Sequence, residues 1–282
     1  LIEVLSFFDE VKIMQKNIIT LIVVLLIGFG FVNYAWIVDS GKTEISGEII
    51  DAQKKLRSIP NKAFTVGEKL TFDIDWGPAT VGTAVMAVPR VKKFNGRDVY
   101  EVRTRAMSNK LISAFYPVDD QVISYIDTEG IYSLRLEKRL SEGKWRQRRL
   151  FFLDQEKNLA YSEKDTVKIP EYSQDILSAF FYIRTQDLQV GKTIEIPHYD
   201  NDKVYYLTVE VLKKQQVRVP AGKFNCIVVE PKLKTQALFK HEGRIKIYLT
   251  DDEKKIPVLM TSKVVFGQIS AKLTKIETEI LQ

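Results

Sequence analysis

Cysteine and histidine are scarce in this 282-residue chain: one Cys, at position 226, and two His, at 198 and 241. A single cysteine closes no intrachain disulfide, so a stapled scaffold is excluded and the fold must rest on its core. The same scarcity leaves few ligands for a zinc site. Glycine and proline are modest, at 14 and 9 residues, which excludes collagen-like and low-complexity chains. No P-loop or dinucleotide fingerprint occurs, and no Ser stands in a G-x-S-x-G setting. What remains is a near-average globular composition, 45% hydrophobic, 28% charged and 11% aromatic. At roughly 150 residues per domain the length admits one or two domains, and all-β units of about 200–250 residues are common.

One long stretch breaks that average. No residue from Asn17 to Val38 is charged, and residues 18–38 would form a helix ~31 Å long, enough to cross a bilayer's hydrocarbon. Tyr34 and Trp36 lie where an aromatic belt sits. The favoured reading is a retained signal anchor. A cleaved signal peptide is the alternative, since Met14-Gln15-Lys16 resembles a true start and its n-region. Lys12 and Lys16 precede the run, which favours a cytoplasmic N-terminus at 1–17 and the rest beyond the inner membrane. Residues 39–63 read as a polar tether and 64–282 as a β-rich periplasmic domain, released into the periplasm if the segment is cleaved. The net charge is +6; residues 1–38 hold two basic and three acidic residues, so the excess lies in the folded part.

After residue 64, period-2 alternation dominates. Leu70, Phe72, Ile74 and Trp76 face one way, and Lys69, Thr71, Asp73 and Asp75 the other. The same pattern recurs at Tyr132, Leu134 and Leu136 and at Ile245, Ile247 and Leu249. Such strands have one buried and one wet face, as antiparallel sheets do. Turn signals separate them, at Phe94-Asn95-Gly96, Asp200-Asn201-Asp202 and Pro220-Ala221-Gly222. One helix is predicted over 172–185, with Ser173 as N-cap and Ile176, Leu177, Phe180, Phe181 and Ile183 as its apolar stripe.

Segments also recur in order. Val66-Gly67-Glu68 resembles Val190-Gly191-Lys192, the turn at 94–96 resembles that at 220–222, and Tyr125-Ile126-Asp127 resembles Tyr248-Leu249-Thr250. This reads as a duplication, although any two β-meanders share such features. The expected fold is therefore all-β and mainly antiparallel, one large twisted sheet or half-closed barrel, with one short central helix and an N-terminal transmembrane or signal helix.

Four stretches carry a family resemblance: Gly67 to Phe72 with Gly82-Thr83-Ala84, Ser173 to Thr185 with Val190-Gly191, Val219 to Pro231, and Tyr248 to Gly267. Together, over roughly 64–275, they resemble the bacterial exported domain-of-unknown-function family 3108. That resemblance implies an exported, β-rich envelope protein. It carries over no catalytic residues.

Chemical sites are few. Asp73 and Asp75 share a strand face at a spacing two carboxylates could use, but that is the wet face. Asp200-Asn201-Asp202 lacks the later ligands of a calcium loop and reads as a hairpin turn. His198 and His241 read as surface loop residues, and Cys226 as a small buried hydrophobe. The best charge feature is basic: Arg135, Lys138, Arg139, Lys144, Arg146, Arg148 and Arg149, spread over two strands around Gly143 with Trp145 among them. A solvated strand pair is the ordinary explanation. Beyond it, the cluster could meet anionic headgroups or lipid-linked sugars at a membrane surface.

The resulting expectation is a non-enzymatic cell-envelope protein, a binding module for an apolar or lipid-like ligand, with a barrel lumen as one place to hold it. The alternatives are an envelope polysaccharide or lipid hydrolase or transferase, and a scaffold in an envelope assembly. Expected partners are the inner membrane and a lipid, glycolipid or envelope polysaccharide, with no nucleic acid, no metal and no cofactor.

Overall fold

The structure is a computed structural model that describes residues 56–233, 245–264 and 267–278. The predicted membrane segment at 18–38, the N-terminal residues 1–17, most of the tether and His241 lie outside the described residues. Among the described residues no helix is long and apolar enough to cross a membrane.

The chain runs through β1 (Glu68–Trp76), β2 (Ala79–Phe94), β3 (Arg97–Ser108), a helical turn α1 (Lys110–Ser113), β4 (Asp119–Asp127), β5 (Ser133–Glu142), β6 (Trp145–Asp154), β7 (Leu159–Tyr161) and β8 (Thr166–Lys168). The helix α2 (Ile176–Thr185) follows. Then come β9 (Thr193–Asp200), β10 (Lys203–Val219), β11 (Gly222–Leu233), β12 (Ile245–Thr250), β13 (Pro257–Val264) and β14 (Gly267–Thr278). All fourteen strands form one antiparallel sheet, ordered β8-β7-β6-β5-β4-β3-β2-β1-β14-β13-β12-β11-β10-β9. Among the described residues the strand ladder thus joins the two meanders, β1–β8 and β9–β14, where β1 pairs with β14.

The sheet curls until its arms face each other. Phe151 of β6 packs edge-to-face on Tyr199 of β9, with ring centroids 5.8 Å apart. Among the described residues no ladder joins the edge strands β8 and β9. Residues 173–175 run beside β9 instead, with Gln174 N–H donating to Pro197 O at 2.8 Å and Tyr199 N–H to Gln174 O at 2.9 Å. The result is the half-open form of the expected barrel.

Its concave side is filled. Leu70, Phe72 and Ile74 of β1, Val122 and Ile126 of β4, Leu136 of β5, Phe181 of α2 and Leu273 of β14 belong to one buried cluster. Ala179 and Ile183 on α2 pack in a second cluster, with Ile196, Leu207, Val209 and Leu249. The helix α2 thus packs against strands of both meanders.

The helix begins later than its sequence predicts. Asp175, not Ser173, is the N-cap: its Oδ1 accepts from Leu177 N–H at 2.8 Å and Ser178 N–H at 2.9 Å. Residues 173–175 stay extended because Gln174 is committed to β9. The packed domain also starts earlier than residue 64. Arg57 Nε donates to Gly130 O at 2.8 Å, its guanidinium lies over the rings of Tyr172 and Tyr182, and Ala63 is buried. The last part of the predicted tether is therefore folded onto the sheet.

The two meanders repeat in detail. Gly67 and Gly191 both adopt positive φ, +90° and +85°, which glycine reaches without a Cβ clash. Gly67 N–H bonds Val88 O and Gly191 N–H bonds Val211 O, each at 2.8 Å. Register shifts fall between Ala87 and Arg90 and between Val211 and Lys213, then again after Tyr125 and after Tyr248.

Candidate functional site

Alternation along β5 and β6 divides the seven basic residues between two faces. Arg135, Arg139, Arg146 and Arg148 point outward, and Lys144 sits exposed in the turn between the strands. Lys138 and Arg149 point inward. Lys138 is 3% exposed and bonded to Asp200, and Arg149 lies 3.9 Å from Asp202. Those two cannot meet a ligand on the outer surface with the others.

The outer group is organised around a buried carboxylate. Glu137 is 2% exposed and accepts from Arg135 Nη2 at 2.6 Å, Arg139 Nε at 2.7 Å and Arg148 Nε at 3.0 Å. Burial pushes its carboxyl upward, but the guanidiniums of Arg139 and Arg135 overcome that and hold it at about 2. The stems of the arginines shield Glu137, while Arg139 and Arg148 keep 53% and 64% of their own side chains exposed. Each bonds Glu137 through Nε, on one edge of a planar group with five donors.

The motif recurs two strands away. Glu101 of β3, 1% exposed, is paired with Arg90, Lys92 and Arg103, and its carboxyl is lowered against its own desolvation. Tyr125 on β4 bridges the clusters, with Lys92 3.7 Å above its ring centroid and Arg135 at 4.6 Å. Arg105 holds Asp119 through two bonds of 2.7 Å. At the end of this face lies an open groove of about 600 Å³, lined by Arg105, Asp119, Gln121, Arg139, Arg146 and Arg148 among others. Four guanidiniums against two carboxylates, Asp119 in its lining and Glu137 behind Arg139 and Arg148, give it a positive character. Forked guanidiniums suit phosphate or carboxylate oxygens.

Beneath the groove a carboxyl pair faces inward. Asp120 is fully buried and accepts from Ser141 N–H at 2.7 Å. Burial, first, and then neighbouring carboxylates push Asp120 up to about 6 and Glu142 up to about 7.

The remaining candidates are structural. His198 is not a loop residue: it lies in β9, 1% exposed, and burial lowers its pKa. Cys226 is buried in β11, its thiol pushed up to about 11 by burial and then by Asp251 and Asp252. Asp75 is engaged by Lys272 at 2.8 Å and Thr80 at 2.7 Å. Asp200 ends β9 at a hairpin turn whose Asn201 and Asp202 have φ of +49° and +61°. Among the described residues no group of three or more His, Cys, Asp or Glu could hold a metal ion. Sequence reasoning missed Glu101, Arg90, Lys92, Arg103, Arg105 and Asp119. Arg103 and Arg105 do alternate onto one strand face, a signal that gains meaning only once β3 is aligned with β4 and β5.

Residues 71–274 match the family described as protein of unknown function DUF3108. Among curated proteins none matches the chain. Among solved structures, the chain is similar to a β-barrel-like protein of domain of unknown function DUF1849 from Brucella abortus. The TM-score there is 0.52 at 15% identity, covering 80% of this chain and 100% of that one. A protein with a YmcC-like fold from Bacteroides fragilis overlaps at TM-score 0.35 and 15% identity, covering 78% and 99%. A DUF1089 family protein from Pseudomonas aeruginosa does so at 0.36 and 10%, covering 65% and 90%. The first of these likenesses supports the fold: a β-barrel-like sheet.

Proposed function

We propose that this chain, which belongs to the DUF3108 family of proteins of unknown function, is a non-enzymatic cell-envelope binding module that holds an anionic, lipid-like group on its outer face. The observation that carries this reading is the groove: Arg105, Arg139, Arg146 and Arg148 converge on it, and Arg139 and Arg148 are anchored from below by Glu137. Pre-anchored guanidiniums lose little side-chain freedom on binding, which is where much of the cost of association lies. The filled interior favours the outer face over a lumen. The charge-free run at 18–38 supports an inner-membrane anchor with the folded domain in the periplasm. The repeated turns and bulges support descent of the two meanders from one duplicated unit.

Titration of the full chain with short-chain phosphatidylglycerol, below its micelle concentration, tests the reading by calorimetry. Binding is expected with phosphatidylglycerol and not with the phosphatidylcholine of equal chain length, and competition by inorganic phosphate would separate a phosphate site from a headgroup site. R105Q/R148Q should weaken the interaction at least tenfold, since each charge-assisted bond contributes about 1.5–3 kcal/mol. Equal binding by the variant, or by the choline lipid, would refute the assignment.

A further inference from the structure

Next to the groove the chain exposes large apolar side chains in a place where none is needed for folding. Leu111 is 70% exposed and Phe115 is 80% exposed, both in the β3–β4 connection that contains α1. Scattered single hydrophobics on a surface need no explanation. These two are not scattered: Leu111 lies in the helical turn and Phe115 just after its C-cap Ala114, in one short connection. Ile112, on the other side, packs against the core cluster.

The connection is built to hold that orientation. Asn109 caps the turn, accepting from Ile112 N–H at 2.9 Å and donating from Nδ2 to Thr80 O at 2.7 Å. Ser108 and Ser113 join their hydroxyls at 2.7 Å. Gly143 N–H donates to Pro117 O at 2.8 Å, so the β5–β6 turn rests against the connection. That turn carries Lys144, Trp145, 42% exposed, and Arg146 in succession, the two cations also exposed; Lys110 is exposed and adjoins Leu111 in the chain. Apolar prongs within a set of cations match the two layers of an anionic membrane surface, acyl boundary and phosphate.

We infer that this pole, formed by Leu111 and Phe115 with Lys110, Lys144, Trp145 and Arg146, docks into the interface of an anionic bilayer. Trp is suited to the headgroup level, one end apolar and one end a donor. The inference shares only Arg146 with the groove, and its test leaves Arg105, Arg139, Arg146 and Arg148 untouched.

The test places an environment-sensitive fluorophore on F115C, with L111C as a second position, in the full chain reconstituted into phosphatidylglycerol or phosphatidylcholine vesicles. Buried Cys226 keeps the background low, and the unsubstituted chain gives the baseline. Quenching by a nitroxide carried on the lipid reports contact with the bilayer wherever else the chain is tethered. At least threefold stronger quenching is expected in phosphatidylglycerol than in phosphatidylcholine, and K110E/K144E should reduce it to the phosphatidylcholine level. A label that stays in water in both lipids, or is quenched equally in both, would overturn the inference. So would a blue shift that needs no lipid and grows with protein concentration, which would identify a protein-facing surface.

Discussion

Arg184 is the largest side chain fully enclosed in the described core, and its burial is explained by what surrounds it. Its guanidinium bonds both carboxylate oxygens of Glu68, at 2.7 and 2.8 Å, and donates to Ala63 O and Lys254 O. The rings of Phe64 and Phe181 flank it at 5.6 and 5.1 Å. One side chain on α2 thereby ties together the incoming chain, the first strand and the β12–β13 turn. Losing the cation leaves Glu68, only 7% exposed, as an uncompensated charge. R184M is therefore expected to cost about 3–5 kcal/mol in urea unfolding, and E68Q/R184M to recover part of it. A loss below about 1 kcal/mol for R184M would contradict this account. The sequence hid the pair, because a lone Arg inside an apolar stripe and a Glu opening a strand 116 positions away carry no mutual signal. Glu137 was hidden for the same reason: in the sequence it reads as one solvated charge among many.

At the level of elements, alternation made strands such as β1 legible, because one face is wet and the other is core. It was uninformative in β4 and β5, where Ser124, Ser133, Glu137 and Lys138 are buried along with the hydrophobic residues. There Ser124, Ser133 and Lys138 stand on the core face, bonded to Asp175 or Asp200, and Glu137 is covered by arginines on the outer face, so polarity no longer reports exposure. The start of α2 was misread because Ser173 and Asp175 are both acceptable caps, and the choice is made by β9, distant in sequence. The hairpin of β4 and β5 carries its own titration. Asp120 and Glu142, at about 6 and about 7, lie above their ordinary values of 3.8 and 4.5, with Tyr116, Asp119 and Arg146 as charged or titrating neighbours. Because the folded state binds the proton more tightly, the pair's contribution is complete at acid pH and is lost as pH rises through about 6–7. E142Q removes a half-buried carboxyl whose ionisation burial and Asp120 oppose. It should be more stable than the parent by about 1–2 kcal/mol at pH 8, with the gap closing toward pH 5. Urea unfolding at both pH values checks this, and a gap independent of pH would rule it out.

For the molecule as a whole the question is what keeps fourteen strands curled when the edges are not paired to each other. An open sheet of this size tends to splay or split, and its unpaired edges invite association with other chains. The central β1–β14 ladder joins the two meanders but does not bend them toward one another. Bending needs contacts across the concave side, and the most deeply buried ion pair among them is Lys138 of β5 bonded to Asp200 of β9, their side chains each 4% exposed. Asn201 Nδ2 adds a bond of 3.1 Å to the other oxygen of Asp200, and the ammonium lies 6.0 Å from the ring centroid of Phe151. Neither charge reaches water, so removing one strands the other. K138M and D200L are each expected to cost about 3–5 kcal/mol, and K138M/D200L to cost much less than their sum, since an apolar pair of similar volume can fill the same space. Hydrogen exchange should show the same pattern, with protection falling in β9 in each single variant and recovering in the double. Strict additivity in the unfolding cycle, with exchange in β9 unchanged, would mean that the curl is held by apolar packing around Phe151, Tyr199 and α2 alone. The ion pair would then be a passenger of the fold rather than its clasp.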